Sequence, residues 1–142
     1  MVIRIRYYQS SDYKILSSLL KNVYDSNINQ ETLERVYISD TQSILIAVTE
    51  DEVLVGCAFI EELEDYVRPS RTLYVTYVAV DENYRRHGIG GLLFDKVEEE
   101  CRQRKCTTIE LTSADFRTDA HKFYYGLGFA KKKTTMFIKE MK

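Results

Sequence analysis

Proline is almost absent: Pro69 is the only one in 142 residues, and no repeat or low-complexity tract marks a flexible linker. One continuous domain over residues 1–142 is therefore expected, a size within the usual range for a single core. Long apolar runs are missing too. The N-terminal MVIRIRYYQSSDYK turns polar within a few residues, so neither a signal peptide nor a membrane anchor is expected. Net charge is nearly cancelled, 20 basic against 22 acidic residues giving -2, so no global field draws the chain to nucleic acid or anionic lipid. Cysteine is scarce and unpatterned. Cys57, Cys101 and Cys106 are odd in number and lack the CxxC spacing of a zinc site, which points to free thiols, a reducing cytoplasmic compartment and no bound metal.

What remains is a globular composition, 44% hydrophobic and 30% charged. Residues 2–7 alternate as a strand, and 10–24 place Tyr13, Leu16, Leu20 and Tyr24 on one helical face. Residues 30–39 carry Leu33, Val36 and Tyr37 at helical spacing, and 44–49 and 53–61 form a hairpin across Glu50, Asp51 and Glu52. The most continuously apolar segment is 71–80, with Leu73, Val75, Tyr77 and Ala79 expected on one face and Tyr74, Val78 and Val80 on the other. A loop, 81–87, then leads to a helix whose stripe is Ile89, Leu92, Leu93, Val97 and Cys101. Its other face pairs Glu98 with Arg102 and Glu100 with Arg104. A strand at 107–111, a helix at 118–127 closed by Gly128, and a strand at 134–139 complete the order βααβββαβαβ.

The chemistry is concentrated in DENYRRHGIGGLL, where a buried strand passes through a basic, glycine-rich loop into a helix. First-turn N–H groups and the positive end of the helix dipole favour a phosphate there, and Gly88, Gly90 and Gly91 allow close approach to the backbone. Arg85, Arg86 and His87 add charge. A glycine loop alone serves a tight turn equally well. A P-loop is excluded because no lysine follows the glycines, and the dinucleotide fingerprint is broken by Leu93 at its third glycine.

The segment instead resembles motif A of GNAT acetyltransferases: Arg or Gln, two residues, Gly, one residue, then Gly or Ala, met by Arg85, Gly88 and Gly90. A second stretch, AHKFYYGLGF, resembles the family's AxxFYxxLGF hallmark through Ala120, Phe123, Tyr124, Leu127, Gly128 and Phe129. The likeness runs from Val75 to Phe129 in the right order and spacing. It implies an α/β fold, a mixed, mostly antiparallel sheet of about six or seven strands flanked by about four helices. It also implies acetyl-CoA as cosubstrate and an amine as acceptor. Backbone N–H groups from Arg86 to Gly91 would bind the pyrophosphate of coenzyme A, with Arg85, Arg86, His87, Gly88, Ile89, Gly90, Gly91, Arg117 and Tyr124 as cofactor-binding positions. The pantetheine arm would lie along Val78, Ala79 and Val80, and the Val78 N–H would polarise the thioester carbonyl. The family's central strand commonly carries a bulge that opens this cleft.

An alkylamine with a pKa near ~10.4 is protonated at neutral pH, so attack needs a base or a water relay. Many relatives use a glutamate on the central strand, where this chain has Thr76. Glu61, Glu62 and Glu64 are the replacements at hand, and Glu62 is taken as the base. The departing thiolate, with a solution pKa near ~8.5, calls for a nearby phenol, and Tyr124 fits that role; without the family it reads as a core tyrosine. Arg117 stands where relatives often have asparagine, an RxxAHxFY variant that resembles a branch acting on small amines. Protein or peptide acetylation, and a non-catalytic coenzyme A-binding module, are the alternatives. A homodimer is left open, since family members often pair.

Overall fold

The computed structural model describes residues 1–141. Its elements are β1 (Ile3–Tyr7), α1 (Tyr13–Tyr24), α2 (Gln30–Tyr37), β2 (Gln42–Thr49), β3 (Leu54–Asp65), β4 (Ser70–Val80), α3 (Ile89–Gln103), β5 (Thr108–Leu111) and α4 (Thr118–Gly126). The sheet order is β1-β2-β3-β4-β5, antiparallel as far as β4 and parallel between β4 and β5. The chain divides into two compact units, Met1–Thr112 and the remainder from Ser113. No helix among the described residues is long and apolar enough to cross a membrane, and no cluster of His, Cys, Asp or Glu among them is suited to a metal.

Strand alternation sorts the core into two layers. On β3, Cys57 and Phe59 face α1 and α2, where Leu16, Leu20 and Leu33 pack with Ile44, Ile46 and Ala79. Ala58 and Ile60 face the other way, the side on which α3 buries Ile89, Leu93, Phe94 and Val97. The three cysteines are free thiols, and burial pushes the Cys57 thiol up to about 12, which leaves it a small apolar filler.

Two expectations are corrected. Leu73 and Val75 do not share a face with Tyr77 and Ala79. Phe59 pairs with Tyr77 but Ile60 pairs with Val75, so Thr76 is an extra residue and the alternation changes phase there. The sheet also has five strands among the described residues, because 134–139 forms none. Its alternation favours an extended chain, but a strand exists only where another supplies hydrogen bonds, and Met136, Phe137 and Ile138 stand 81%, 90% and 86% exposed.

Charge anchors the α3 side of the sheet. Glu100, expected on the helix surface, is 2% exposed; it accepts from the Tyr7 hydroxyl at 2.8 Å and lies 3.5 Å from Arg104. Burial and this bond push the Tyr7 phenol up to about 12. Arg104 also donates to Ser43 at 2.7 Å. Arg104→Met should therefore cost about 3 kcal/mol in a urea titration, because it strands a buried carboxylate, and adding Glu100→Gln should restore most of the loss.

At the start of α1, burial disfavours the Asp12 carboxylate, but Arg6 at 2.8 and 2.9 Å and the Gln9 N–H at 2.8 Å outweigh it and hold its pKa below the ordinary range. A lowered folded-state pKa gives stability that is complete above the unfolded value, about 3.9, and is lost as pH falls through the folded one. Asp12→Asn should remove that part of the acid loss, measured as urea midpoints across the acid range.

Candidate functional site

The bulge at Thr76 separates two regimes of β4. From Thr72 to Val75 the strand pairs with β5; from Thr76 onward that pairing ends while pairing with β3 continues to Val80. An open edge of backbone results. The Thr76 hydroxyl donates to the Phe59 carbonyl at 3.3 Å and so pins the bulge. At Val78, the carbonyl accepts from the Tyr24 hydroxyl at 2.5 Å, and the Val78 N–H donates to the same oxygen at 3.4 Å. Both polar groups of Val78 thus point out of the sheet toward a single oxygen. Ala79, next along, turns its methyl into the core at 3% exposure.

The end of β4 is tied down before the loop begins. The Asp81 N–H donates to the Val55 carbonyl at 2.8 Å, and the Asp81 side chain accepts from the Asn83 N–H at 2.9 Å. Arg86 and Gly88 both adopt positive φ, 67° and 75°, which folds the chain tightly ahead of α3. Gly56 on β3 allows the junction to close: a Cβ there would stand 3.1 Å from the Ala79 carbonyl oxygen and 3.2 Å from Ile89. Helix α3 starts at Gly88 with no side-chain cap, and Leu92 is bonded back to the Gly88 carbonyl at 3.1 Å. The N–H groups of Ile89, Gly90 and Gly91 thus lie ahead of the intrahelical ladder. A Cβ on Gly88 or Gly91 would meet nothing within 4 Å, so no neighbouring atom crowds these positions. Arg85, Arg86 and His87 are exposed around it. Uncapped donors, a helix dipole, free approach and basic side chains fit a diphosphate.

On the other side of the bulge, α1, α2, β3 and β4 line a half-open cavity of about 310 Å³. Thr76 and Tyr77 form its β4 wall, Phe59 its β3 wall, and Leu20, Tyr24 and Leu33 its helical wall. Tyr77 stacks edge-to-face on Tyr24 at 5.1 Å and on Phe59 at 6.3 Å. Tyr24 therefore belongs both to the cavity and to the open edge at Val78.

The structure brings Val78, Ala79, Val80, Arg85, Arg86, His87, Gly88, Ile89, Gly90 and Gly91 into one continuous strand, loop and helix start. It does not bring Glu62 to the cavity. Glu62 pairs with Leu73 on the α3 side of the sheet, its carboxylate 4.0 Å from Arg104. Its neighbour Glu61 alternates to the cavity side, two residues beyond Phe59. The sequence had marked Tyr24 only as part of an apolar stripe, and its hydroxyl bond to Val78 is a long-range contact that no local pattern carries.

The second unit explains the other motif locally. Gly128 has φ 96°, its N–H bonds to the Tyr125 carbonyl at 3.0 Å, and the Phe129 N–H bonds to the Tyr124 carbonyl at 3.1 Å. These are the paired bonds of a Schellman motif, completed by the Phe129 ring against Tyr124 at 5.9 Å. The glycine and second phenylalanine of the hallmark thus terminate α4 and fix the Tyr124 ring. Arg117 is the N-cap residue of α4, its guanidinium 5.9 Å from the Phe116 ring, and the His121 ring is hydrogen-bonded to the Ala114 carbonyl at 3.0 Å.

A model of the Acetyltransferase (GNAT) family matches residues 12–129, which spans both units. Among solved structures, a tetramutant of the BH1408 protein from Bacillus halodurans superposes with a TM-score of 0.87 at 25% identity, over 99% of this chain and 100% of that one. An aminoglycoside antibiotic 6'-N-acetyltransferase from Acinetobacter baumannii gives 0.86 at 19% identity, over 99% of both chains. A related enzyme in complex with a bisubstrate analogue of coenzyme A and monomethyl-acetylneamine gives 0.86 at 19%, again over 99% of both chains.

Proposed function

The chain belongs to the GNAT acetyltransferase family and is an acetyl-CoA dependent enzyme, and from that premise we propose that it moves the acetyl group to a primary amine of a small molecule by direct attack in a ternary complex. The observation that carries this reading is the continuity of one backbone path. An edge left open by the bulge at Thr76 runs through Val78 and Val80 into the uncapped start of α3. A diphosphate held at Ile89 to Gly91 would direct the pantetheine arm back along that edge.

The phenolic oxygen of Tyr24 stands where the Val78 N–H and carbonyl both reach one atom, which makes Val78 the natural donor to the thioester carbonyl as negative charge develops on it. Tyr24 would yield this place as acetyl-CoA enters. The acceptor would approach from the cavity side of the bulge, its nitrogen losing a proton as the new C–N bond forms. The tetrahedral species collapses by breaking the C–S bond, and the thiolate takes a proton from Tyr124. Arg117 joins the cofactor-binding positions by the same family correspondence.

The proton acceptor shifts from Glu62 to Glu61, supported by the side of the sheet on which each stands. Glu61→Gln should lower kcat about tenfold and flatten the acid side of the pH–rate profile, less than a full general base contributes because water can relay the proton. Glu62→Gln should leave that profile in place. The activity itself is tested by thiol release from acetyl-CoA against a panel of amines. Release that depends on the amine supports the reading, and hydrolysis indifferent to it would refute it.

A further inference from the structure

We propose that the cavity beside Thr76 receives the body of the acceptor and that this body is apolar: a monoamine bearing an alkyl or single-ring aryl group, not a polycation. The proposal rests on the acetyltransferase reading and names its substrate class. None of the cavity's lining residues is Asp, Glu, Lys, Arg or His. The lining surface is mostly apolar, and Leu20, Ile28, Leu33, Val36 and Phe59 are among the residues that form it. A second or third ammonium on the acceptor would enter this space without a counter-charge, which is strongly disfavoured.

Two polar groups in the lining are committed within the protein. Asn29 caps α2, its side-chain oxygen accepting from the Thr32 N–H at 3.0 Å and the Thr32 hydroxyl at 3.4 Å. The Thr76 hydroxyl is given to the Phe59 carbonyl. Glu61 lies on this side of the sheet but is not among the lining residues, so it can meet a reacting nitrogen at the mouth without charging the interior. Size agrees: about 310 Å³ is at the small end of ligand pockets and suits one ring with a short chain rather than several linked sugars. The edge-to-face stack of Tyr24, Tyr77 and Phe59 makes the aromatic side of that space.

The test is steady-state thiol release at fixed acetyl-CoA with 2-phenylethylamine and hexylamine against spermidine and kanamycin, alongside calorimetric titration of acetyl-CoA. The expected result is a kcat/KM for the two monoamines on the order of 100-fold above the polycations, the scale of discrimination that burying several methylenes provides. Thr32→Glu supplies a second arm. Position 32 is the third residue of α2, where the helix dipole favours an acidic side chain, so the variant should fold while placing a carboxylate on the cavity wall. It should move the preference at least about tenfold toward spermidine. Equal or better turnover of the polycations by the native protein would overturn the proposal while leaving acetyl transfer to amines intact. Absence of thiol release with every amine, despite saturable acetyl-CoA binding, would overturn the acetyltransferase reading itself and this proposal with it.

Discussion

Gly91→Asp should reduce acetyl-CoA affinity by on the order of 1000-fold while the protein unfolds at the same urea concentration or a slightly higher one. The two effects have opposite physical signs. Gly91 is the third residue of α3, where a carboxylate is favoured by the helix dipole and glycine costs backbone entropy, so the substitution suits the helix. Nothing lies within 4 Å of the new Cβ, so no packing is disturbed. The same carboxylate would occupy the space that the diphosphate needs and repel it at close range. A simple folding defect would lower stability and affinity together; a phosphate site separates them.

Tyr124→Phe should lower kcat by about 100-fold and change acetyl-CoA affinity less than about threefold, if the phenol protonates the departing thiolate. The ring contacts survive the substitution. The Tyr124 ring is held edge-to-face by Phe129 and tilted against Phe123, contacts that phenylalanine keeps, so only the hydroxyl is removed. The deficit should shrink with acyl donors whose thiol is more acidic, because a better leaving group needs less help. Unchanged turnover would remove Tyr124 from the mechanism.

How far the sequence carried these conclusions depends on the range of the interaction involved. The loop from Arg85 to Gly91 and most of the stripe on α3 were legible, since a helix start and its apolar face are written within a few neighbouring residues, although Leu92, expected in that stripe, is 39% exposed and Phe94 is buried instead. Gly128 was legible as a helix stop for the same reason. The bulge was not. Its presence is a relation between β4 and β3, visible only when Phe59 is seen opposite Tyr77 and Ile60 opposite Val75, and period-two alternation on β4 ran straight through it.

That single slip is also why Tyr77 was assigned to the wrong neighbours. Glu62 stands away from the cavity because its side of the sheet follows from register, and its carboxylate lies 4.0 Å from Arg104 there. Glu100 looked like a surface partner of Arg104 because its other partner, Tyr7, lies 93 residues away. The strand expected at 134–139 had the right local pattern, but the described residues of its own unit form no strand for it to pair with.

The claim beneath the whole account is that backbone amides at the start of α3, continued by the open edge of β4, clasp the carrier of the acetyl group. Titrating coenzyme A into isotopically labelled protein and following backbone amide resonances tests it most directly. The account predicts that the largest shifts fall on Gly88 to Leu92, with Val78 and Val80 following and the β1–β2 edge still. Saturable binding that leaves the amides of Ile89, Gly90 and Gly91 unmoved would contradict it.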